Sequence, residues 1–270
     1  MQLPRFIWLP ILHGIVLRTR PAKSAKKYAS VWTPEGSPLA VHTIRQTELL
    51  RSAAPELQVE YAMRYGNPSI ADGLKKLAGC HRVVVVPLYP QFSRSTTESI
   101  RDIIGAGVRM IESFHDHPAY IAALAAGVQR HWAANGKGGR LIMSFHGLPK
   151  RAVDLGDPYQ AQCIATAKLL AGALRIPPNG YLVTFQSRFG AAEWLQPYTE
   201  PTLVGLAKQG IRRADVVCPG FVSDCLETLE EIAIEAKNAF LGAGGTEFHA
   251  LPCLNESPEW IAALAKIASP

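Results

Sequence analysis

The chain has 270 residues, 48% of them hydrophobic and 19% charged, which excludes a disordered chain and is enough for two domains of ordinary size. The formal net charge is +6, but the basic residues are mostly scattered and no basic stripe interleaved with aromatic residues occurs. This favours an anionic ligand or an acidic membrane surface over nucleic acid. Five cysteines without a C-x-x-C spacing indicate a reducing compartment and argue against a metal cluster held by cysteines alone.

The chain begins with a broken apolar segment, residues 6–17, which is followed by basic residues from Arg18 to Lys27. The segment is too short to span a bilayer, and it lacks the basic start and the cleavage site of a signal peptide. It predicts an apolar lip that rests on an acidic membrane surface. The alternative is a packed first helix followed by a solvated basic turn.

Strand-like and helical patterns then alternate along the chain. Strands are predicted at 57–62, 83–86, 108–114, 140–145, 181–185, 214–218 and 246–251. Helices are predicted at 68–77, 119–132, 161–174, 201–208, 224–240 and 258–267. Strands that alternate with helices of ten to fifteen residues indicate βαβ units and parallel sheets.

A natural seam lies near 115–118 and divides these elements into two groups. The sequence therefore predicts an α/β protein with two similar doubly wound domains, residues 1–115 and 116–270, and a cleft between them. The first group has only three predicted strands and opens without one, which suggests a missing N-terminal piece. The last helix is expected to pack back on the first domain.

Two segments contain the candidate catalytic residues, and each lies where a predicted buried strand ends. Ser144–Pro149 contains His146, and Ser223–Leu229 contains Glu227. Ligands of parallel α/β sheets bind at the carboxyl ends of the strands, so imidazole and carboxylate can face each other across one cleft. Such a pair accepts protons and tolerates metal ions. The competing interpretations are a structural histidine at a strand end and a capping box formed by Asp224 and Glu227.

Aromatic, arginine and hydroxyl residues follow other strands, in segments 62–68, 88–97 and 185–190. A rim of this composition suits a large, flat, apolar ligand that carries carboxylates. Glycine-rich phosphate loops are absent, which disfavours a nucleotide ligand. No G-x-S-x-G motif occurs, so the sequence does not predict a serine hydrolase.

These segments in this order resemble the ferrochelatases, and the resemblance covers nearly the whole chain. It rests on 18–21, 36–39, 89–97, 144–149, 156–159, 186–190 and 223–229. The resemblance implies two doubly wound domains with a porphyrin in the cleft. It also implies that His146 and Glu227 are the catalytic pair and ligands of the iron. The implied substrate-binding residues are Arg64, Tyr65, Tyr89, Trp194 and Phe221.

The chain departs from the family pattern in two places. The family's opening strand, loop and helix, about forty residues, are absent before the apolar lip. Arg94 stands where members with an iron–sulfur cluster have a cysteine, and the chain ends at Pro270 without a cysteine-bearing extension. We therefore expect no iron–sulfur cluster and no permanently bound cofactor.

The expected function is insertion of ferrous iron, a substrate, into protoporphyrin IX to form haem. The expected location is the cytoplasm, with peripheral contact to the inner membrane. Two alternatives are a chelatase for another metal or tetrapyrrole, and a truncated relative that binds porphyrin without turnover. The sequence makes no prediction about the oligomeric state.

Overall fold

The computed structural model describes residues 17–105 and 107–269, with Leu9 and Gly14 before them. The predicted apolar lip therefore lies almost wholly outside the described residues. The helices are α1 Leu17–Val31, α2 Pro38–Ala53, α3 Ile70–Lys76, α4 Ser99–Ile104, α5 Pro118–Asn135, α6 Lys150–Asp154, α7 Tyr159–Ala173, α8 Thr199–Lys208, α9 Lys237–Gly242 and α10 Pro258–Ala268. The strands are β1 Val84–Val85, β2 Arg109–Met110, β3 Leu141–His146, β4 Tyr181–Gln186, β5 Arg213–Val217 and β6 Glu247–Ala250. Two π-helical segments, Arg94–Glu98 and Glu227–Ala236, precede α4 and α9.

The larger sheet is fully parallel, and its two faces are both covered by helices. Along β3, Met143 and Phe145 enter one buried core with residues of α5, α7 and α10. Ile142, which directly precedes Met143, enters a second core with residues of α8, the second π-helical segment and α9. This alternation is the period of two that a strand imposes, and burial on both faces explains why Leu141–Phe145 is apolar except for Ser144. The predicted α/β class with parallel sheets is confirmed.

The strand order of this sheet is β4-β3-β5-β6. The chain passes from β3 to β4 on one side and then crosses to β5 on the other side of β3. The order therefore reverses between β3 and β5, and the loops that leave their carboxyl ends diverge. A crevice opens at such a reversal, and ligands of open α/β sheets bind there.

The smaller sheet consists of β1 and β2 in parallel, so the predicted strands at 83–86 and 108–114 are shorter than expected. The strand predicted at 57–62 is wrong, because the described residues there make no ladder. A strand requires a neighbouring backbone that completes its hydrogen bonds. The carbonyl of Val59 instead accepts a hydrogen bond from Nε of Arg51, 2.8 Å away.

The helix predicted at 224–240 forms, but its first part is π-helical from Glu227. The capping box of Asp224 and Glu227, the competing interpretation of this segment, does not form, since no side chain caps this end. Asp224 Oδ2 accepts a hydrogen bond from Nδ2 of Asn255 at 2.7 Å, and Oδ1 accepts one from the hydroxyl of Thr228 at 2.8 Å. Asp224 therefore joins the start of this helix to the loop after β6, and this leaves Glu227 without a capping role.

The two groups of elements share buried surface. Trp260 of α10 is fully buried beside Phe114 and Tyr120, with ring centroids 5.8 and 6.2 Å away. Helix α10 packs against both α5 and α2. The boundary at 115–116 stays a prediction. Within the described ranges, no helix has the length and apolarity that a bilayer span requires.

Candidate active site

A cavity of about 1030 Å³ lies at the carboxyl ends of the strands and is lined by residues from both halves of the chain. Typical small-molecule pockets reach about 1,000 Å³ and are mostly apolar with a few placed polar groups. The lining includes six of the seven residues that the sequence singles out, namely Arg64, Tyr89, His146, Trp194, Phe221 and Glu227. The cavity volume is at the upper end of that range, and the predicted acid and imidazole both line the same cavity.

The imidazole of His146 is held in one orientation by a hydrogen bond to the backbone. Its Nδ1 lies 2.7 Å from the carbonyl of Gly147, which can only accept, so Nδ1 carries the hydrogen. The backbone carbonyl of His146 accepts a hydrogen bond from the hydroxyl of Tyr159 at 3.0 Å. The ring of Phe221 lies with its centroid 6.3 Å from that of His146. The lone pair of Nε2 is therefore the one left for a proton or a metal ion.

Glu227 is the first residue of the second π-helical segment and lies in the cavity lining. Its charge acts on neighbours in the cavity wall. Burial raises the pKa of the Cys225 thiol well above its ordinary value, and the Glu227 carboxylate raises it further. Burial also raises the pKa of Tyr89, with a smaller contribution from Glu227. Cys225 is consequently a neutral thiol beside an acid.

Gln186 connects the two predicted residues, although the sequence alone predicts no role for it. It stands beside His146 in the ladder of β3 and β4. Its Nε2 donates to the backbone carbonyl of Glu227 at 2.7 Å, and its Oε1 accepts from Ser144 at 2.6 Å. The sequence contains a signal for Gln186, because β4 ends with this polar residue just as β3 ends with His146.

A second set of buried polar contacts fixes the loop from Tyr89 to Thr97 against the C-terminal half. Asp157 is buried and accepts hydrogen bonds from the hydroxyl of Ser93 and the backbone N–H of Arg94, both at 2.9 Å. Gln91 donates to the hydroxyl of Thr166 at 3.0 Å. These contacts position one wall of the cavity by tertiary hydrogen bonds, which a single sequence does not reveal.

Tyr65 is the predicted site residue that the structure does not place in the cavity lining. Its side chain is 79% exposed, and the guanidinium carbon of Arg64 lies 4.4 Å from its ring centroid. Arg64 itself lines the cavity and donates from Nε to the hydroxyl of Ser99 at 3.2 Å. A binding role for Tyr65 stays a prediction.

Gly147 is the position where the turn after His146 leaves no room for a side chain. A Cβ there would lie 2.6 Å from the backbone oxygen of Gln186 and 3.0 Å from Cε3 of Trp194. We expect Gly147→Ala to shift the His146 turn and to lower the metallation rate about 10²-fold, the cost of a misplacement near 1 Å. The measurement is porphyrin metallation, with Gly205→Ala in α8 as the control because its Cβ meets nothing within 4 Å. Wild-type turnover in Gly147→Ala would show that this turn does not position the site.

Comparison with known proteins decides the family. The family model described as ferrochelatase matches residues 1–270. The chain belongs to the ferrochelatase family. Ferrochelatases are metal chelatases of the lyase class that insert ferrous iron into a porphyrin to form haem, and this confirms the predicted family, activity and enzyme class.

Curated ferrochelatases share more than half of their aligned residues with the chain. The protein of Polaromonas sp. is 56% identical over 100% of this chain and 77% of its own length. That of Azoarcus sp. is 54% identical over 98% of this chain and 77% of its own length.

Solved structures share the fold of this chain at lower identity. SirB from Bacillus subtilis with Fe3+ has a TM-score of 0.59 and 15% identity, over 87% of this chain and 92% of that chain. A cobalt complex of the sirohydrochlorin chelatase SirB from Bacillus subtilis subspecies spizizenii also has a TM-score of 0.59, at 12% identity, over 86% of this chain and 90% of that chain. At these identities the likeness concerns the fold alone.

Proposed function

We propose that the chain metallates a porphyrin held in the cavity between its two halves, with His146 and Glu227 as the groups that handle protons and iron. The observation that carries this proposal is that both residues line one cavity of about 1030 Å³, at the point where the strand order reverses. Metallation requires removal of two pyrrole protons and delivery of a ferrous ion to the ring centre. Imidazole and carboxylate are suited to both tasks.

His146 is the proton acceptor in this mechanism. Because Nδ1 donates to Gly147, the basic lone pair is on Nε2 and can take a pyrrole proton or hold the iron as it enters. Glu227 then accepts the proton from this region of the cavity. General-base assistance of this kind contributes about 10²–10⁴-fold to a rate.

The cavity walls bind and bend the macrocycle. A flat porphyrin hides its nitrogen lone pairs in the ring plane, and bending exposes them at a strain of about 1–5 kcal/mol drawn from remote contacts. Tyr89, Phe221 and Trp194 supply aromatic surface in the lining, and Arg64 supplies positive charge for a carboxylate of the substrate. The indole N–H of Trp194 is buried without a hydrogen-bond partner among the described residues, so it is available to a ligand oxygen.

We infer that the protein works in the cytoplasm and contacts a membrane surface peripherally. This inference is supported by the apolar segment at 6–17 and by exposed aromatic side chains after it, Tyr28 and Trp32, which are 43% and 56% exposed. An apolar product such as haem is passed on most readily at a lipid surface. The absence of an iron–sulfur cluster stays a prediction that rests on Arg94.

The proposal is tested by mixing purified protein with protoporphyrin IX and ferrous iron without oxygen and following the absorption spectrum of haem. We expect multiple turnovers per protein chain and preference for Fe²⁺ when Co²⁺ or Ni²⁺ competes. Preferential use of a competing metal would identify a chelatase of different specificity. Tight porphyrin binding with no metallation by any of the three ions would identify a binding protein and contradict the proposal.

A further inference from the structure

A second cluster of side chains suited to metal binding lies towards the amino ends of the strands of the larger sheet, away from His146 at a carboxyl end. It consists of His131 in α5, Asp215 in β5 and His249 in β6, a set that we call the histidine cluster. Asp215 is in register with Leu141, the first residue of β3, whereas His146 is the last residue of that strand. Five residues of parallel strand correspond to about 16 Å, so the histidine cluster is separate from the cavity.

The three side chains are close enough to share one ion. Each offers one ligand atom, and these atoms all lie within 4.8 Å of one another. Asp215 and His249 are brought together because they face each other in the ladder of β5 and β6. A tetrahedral zinc ion with bonds near 2.1 Å holds its ligand atoms about 3.4 Å apart. Side-chain rotations that move the ligand atoms by about 1 Å therefore complete the site.

His131 carries an atom that the protein itself does not satisfy. Its Nε2 is buried and has no hydrogen-bond partner in the part of the chain that the structure describes. A buried polar atom without a partner costs free energy, and most such atoms in native proteins are paired. Nδ2 of exposed Asn135 donates to the backbone carbonyl of His131 at 3.0 Å and lies 3.3 Å from Nδ1. With a metal ion on Nε2 the ring hydrogen is on Nδ1, and the Asn135 amide keeps its bond to the carbonyl. A metal ion on Nε2 would satisfy the orphaned atom.

The charges around the cluster favour a dication. Two carboxylates, Asp215 and Glu247, are balanced by one guanidinium, that of Arg213, which lies 2.9 Å from Oδ1 of Asp215 and 3.1 Å from Oε1 of Glu247. Oδ1 of Asp215 has one hydrogen-bond donor, whereas Oδ2 accepts from Trp132 Nε1, Gly138 N and Arg213 Nη2. Oδ1 therefore retains a lone pair for a ligand.

We propose that His131, Asp215 and His249 bind one divalent transition-metal ion of the zinc class. Two imidazoles and one carboxylate match the preference of Zn²⁺ and Co²⁺, whereas Mg²⁺ and Ca²⁺ prefer oxygen ligands. Glu247, whose Oε1 lies 2.7 Å from Nε2 of His249, or a water molecule supplies a fourth ligand. The bound ion clamps the end of α5 to β5 and β6, so its role is structural and separate from metallation.

The test counts zinc ions by equilibrium dialysis in the His146→Ala background, which removes the metal-binding imidazole of the cavity. We expect one Zn²⁺ per chain, binding that weakens at least about tenfold in His131→Asn and in His249→Asn, and a zinc-dependent rise in unfolding temperature that both variants lose. Co²⁺ bound at the same site should show the visible absorption of a tetrahedral complex.

The matched control is His42→Asn, which removes a histidine that is paired with Glu256 at 2.8 Å but has no role in the cluster. Its zinc affinity should equal that of the His146→Ala parent. Zinc binding that survives in both His131→Asn and His249→Asn, or no zinc bound by the parent, would overturn the proposal. Variants that fail to fold are recognised by their far-ultraviolet circular dichroism. If His249→Asn fails to fold, His249→Gln takes its place because glutamine is closer to histidine in side-chain volume.

Discussion

The variant His146→Ala is expected to metallate porphyrin about 10²–10⁴-fold more slowly than the wild type, which is the range that a positioned general base contributes. The structure gives the reason, since the Gly147 carbonyl fixes the hydrogen on Nδ1 and leaves Nε2 as the basic atom. Porphyrin binding should change little, because the aromatic walls of the cavity remain. The measurements are the metallation rate under substrate saturation and porphyrin binding by fluorescence quenching.

A histidine outside the cavity provides the control for His146→Ala. His117 caps the start of α5 by accepting a hydrogen bond from the backbone N–H of Ala119, and asparagine can take over this contact. His117→Asn should therefore metallate porphyrin at the wild-type rate. Equal rates for His146→Ala and the wild type would remove His146 from the mechanism.

The variant Glu227→Gln is expected to lower the metallation rate about 10²-fold, the lower end of the range for acid–base groups. Glutamine keeps the shape of the side chain and the backbone contact with Gln186, so the loss measures the carboxylate itself. The same change has a second readout, because the Glu227 carboxylate contributes to the raised pKa of Cys225. That pKa should fall in the variant while it stays above the ordinary value, since burial is its main cause.

The appropriate control for Glu227→Gln is another glutamate in the first turn of a helix. Glu200 has this position in α8 and is exposed to solvent. Glu200→Gln should keep full activity. This result would show that the loss in Glu227→Gln comes from the charge of Glu227 in the cavity and not from the loss of one carboxylate anywhere in the protein. Equal losses in both variants would contradict a specific role for Glu227.

The sequence alone predicted the parts of the fold that burial dictates. Strands β3 and β4 were found almost to the residue, because the apolar runs that form them are buried on both faces of a parallel sheet. The predicted strand at 57–62 failed for the opposite reason. Its alternating pattern is real, but pairing depends on a neighbouring backbone that a pattern does not contain.

The sequence predicts those site residues whose place is set by the end of a strand. It does not predict those whose role depends on contacts between distant parts of the chain. His146 ends one buried strand and Glu227 lies in the segment after another, and the strand order places these ends at one crevice. The roles of Gln186 and Asp157 are tertiary, since each bonds to residues more than 40 positions away. The place of Tyr65 outside the cavity lining depends on the direction of one side chain, which chain position does not determine.

We propose that His146 and Glu227 act together on one macrocycle, and a double-mutant cycle on the single-turnover metallation rate tests this directly. Protein loaded with protoporphyrin is mixed with ferrous iron, and the rate is measured for the wild type, for His146→Ala, for Glu227→Gln and for the double variant. Groups that act as a unit give strongly non-additive losses, so the double variant should be about as slow as His146→Ala alone. A loss in the double variant equal to the product of the two separate losses would show that the residues act independently and would contradict the account.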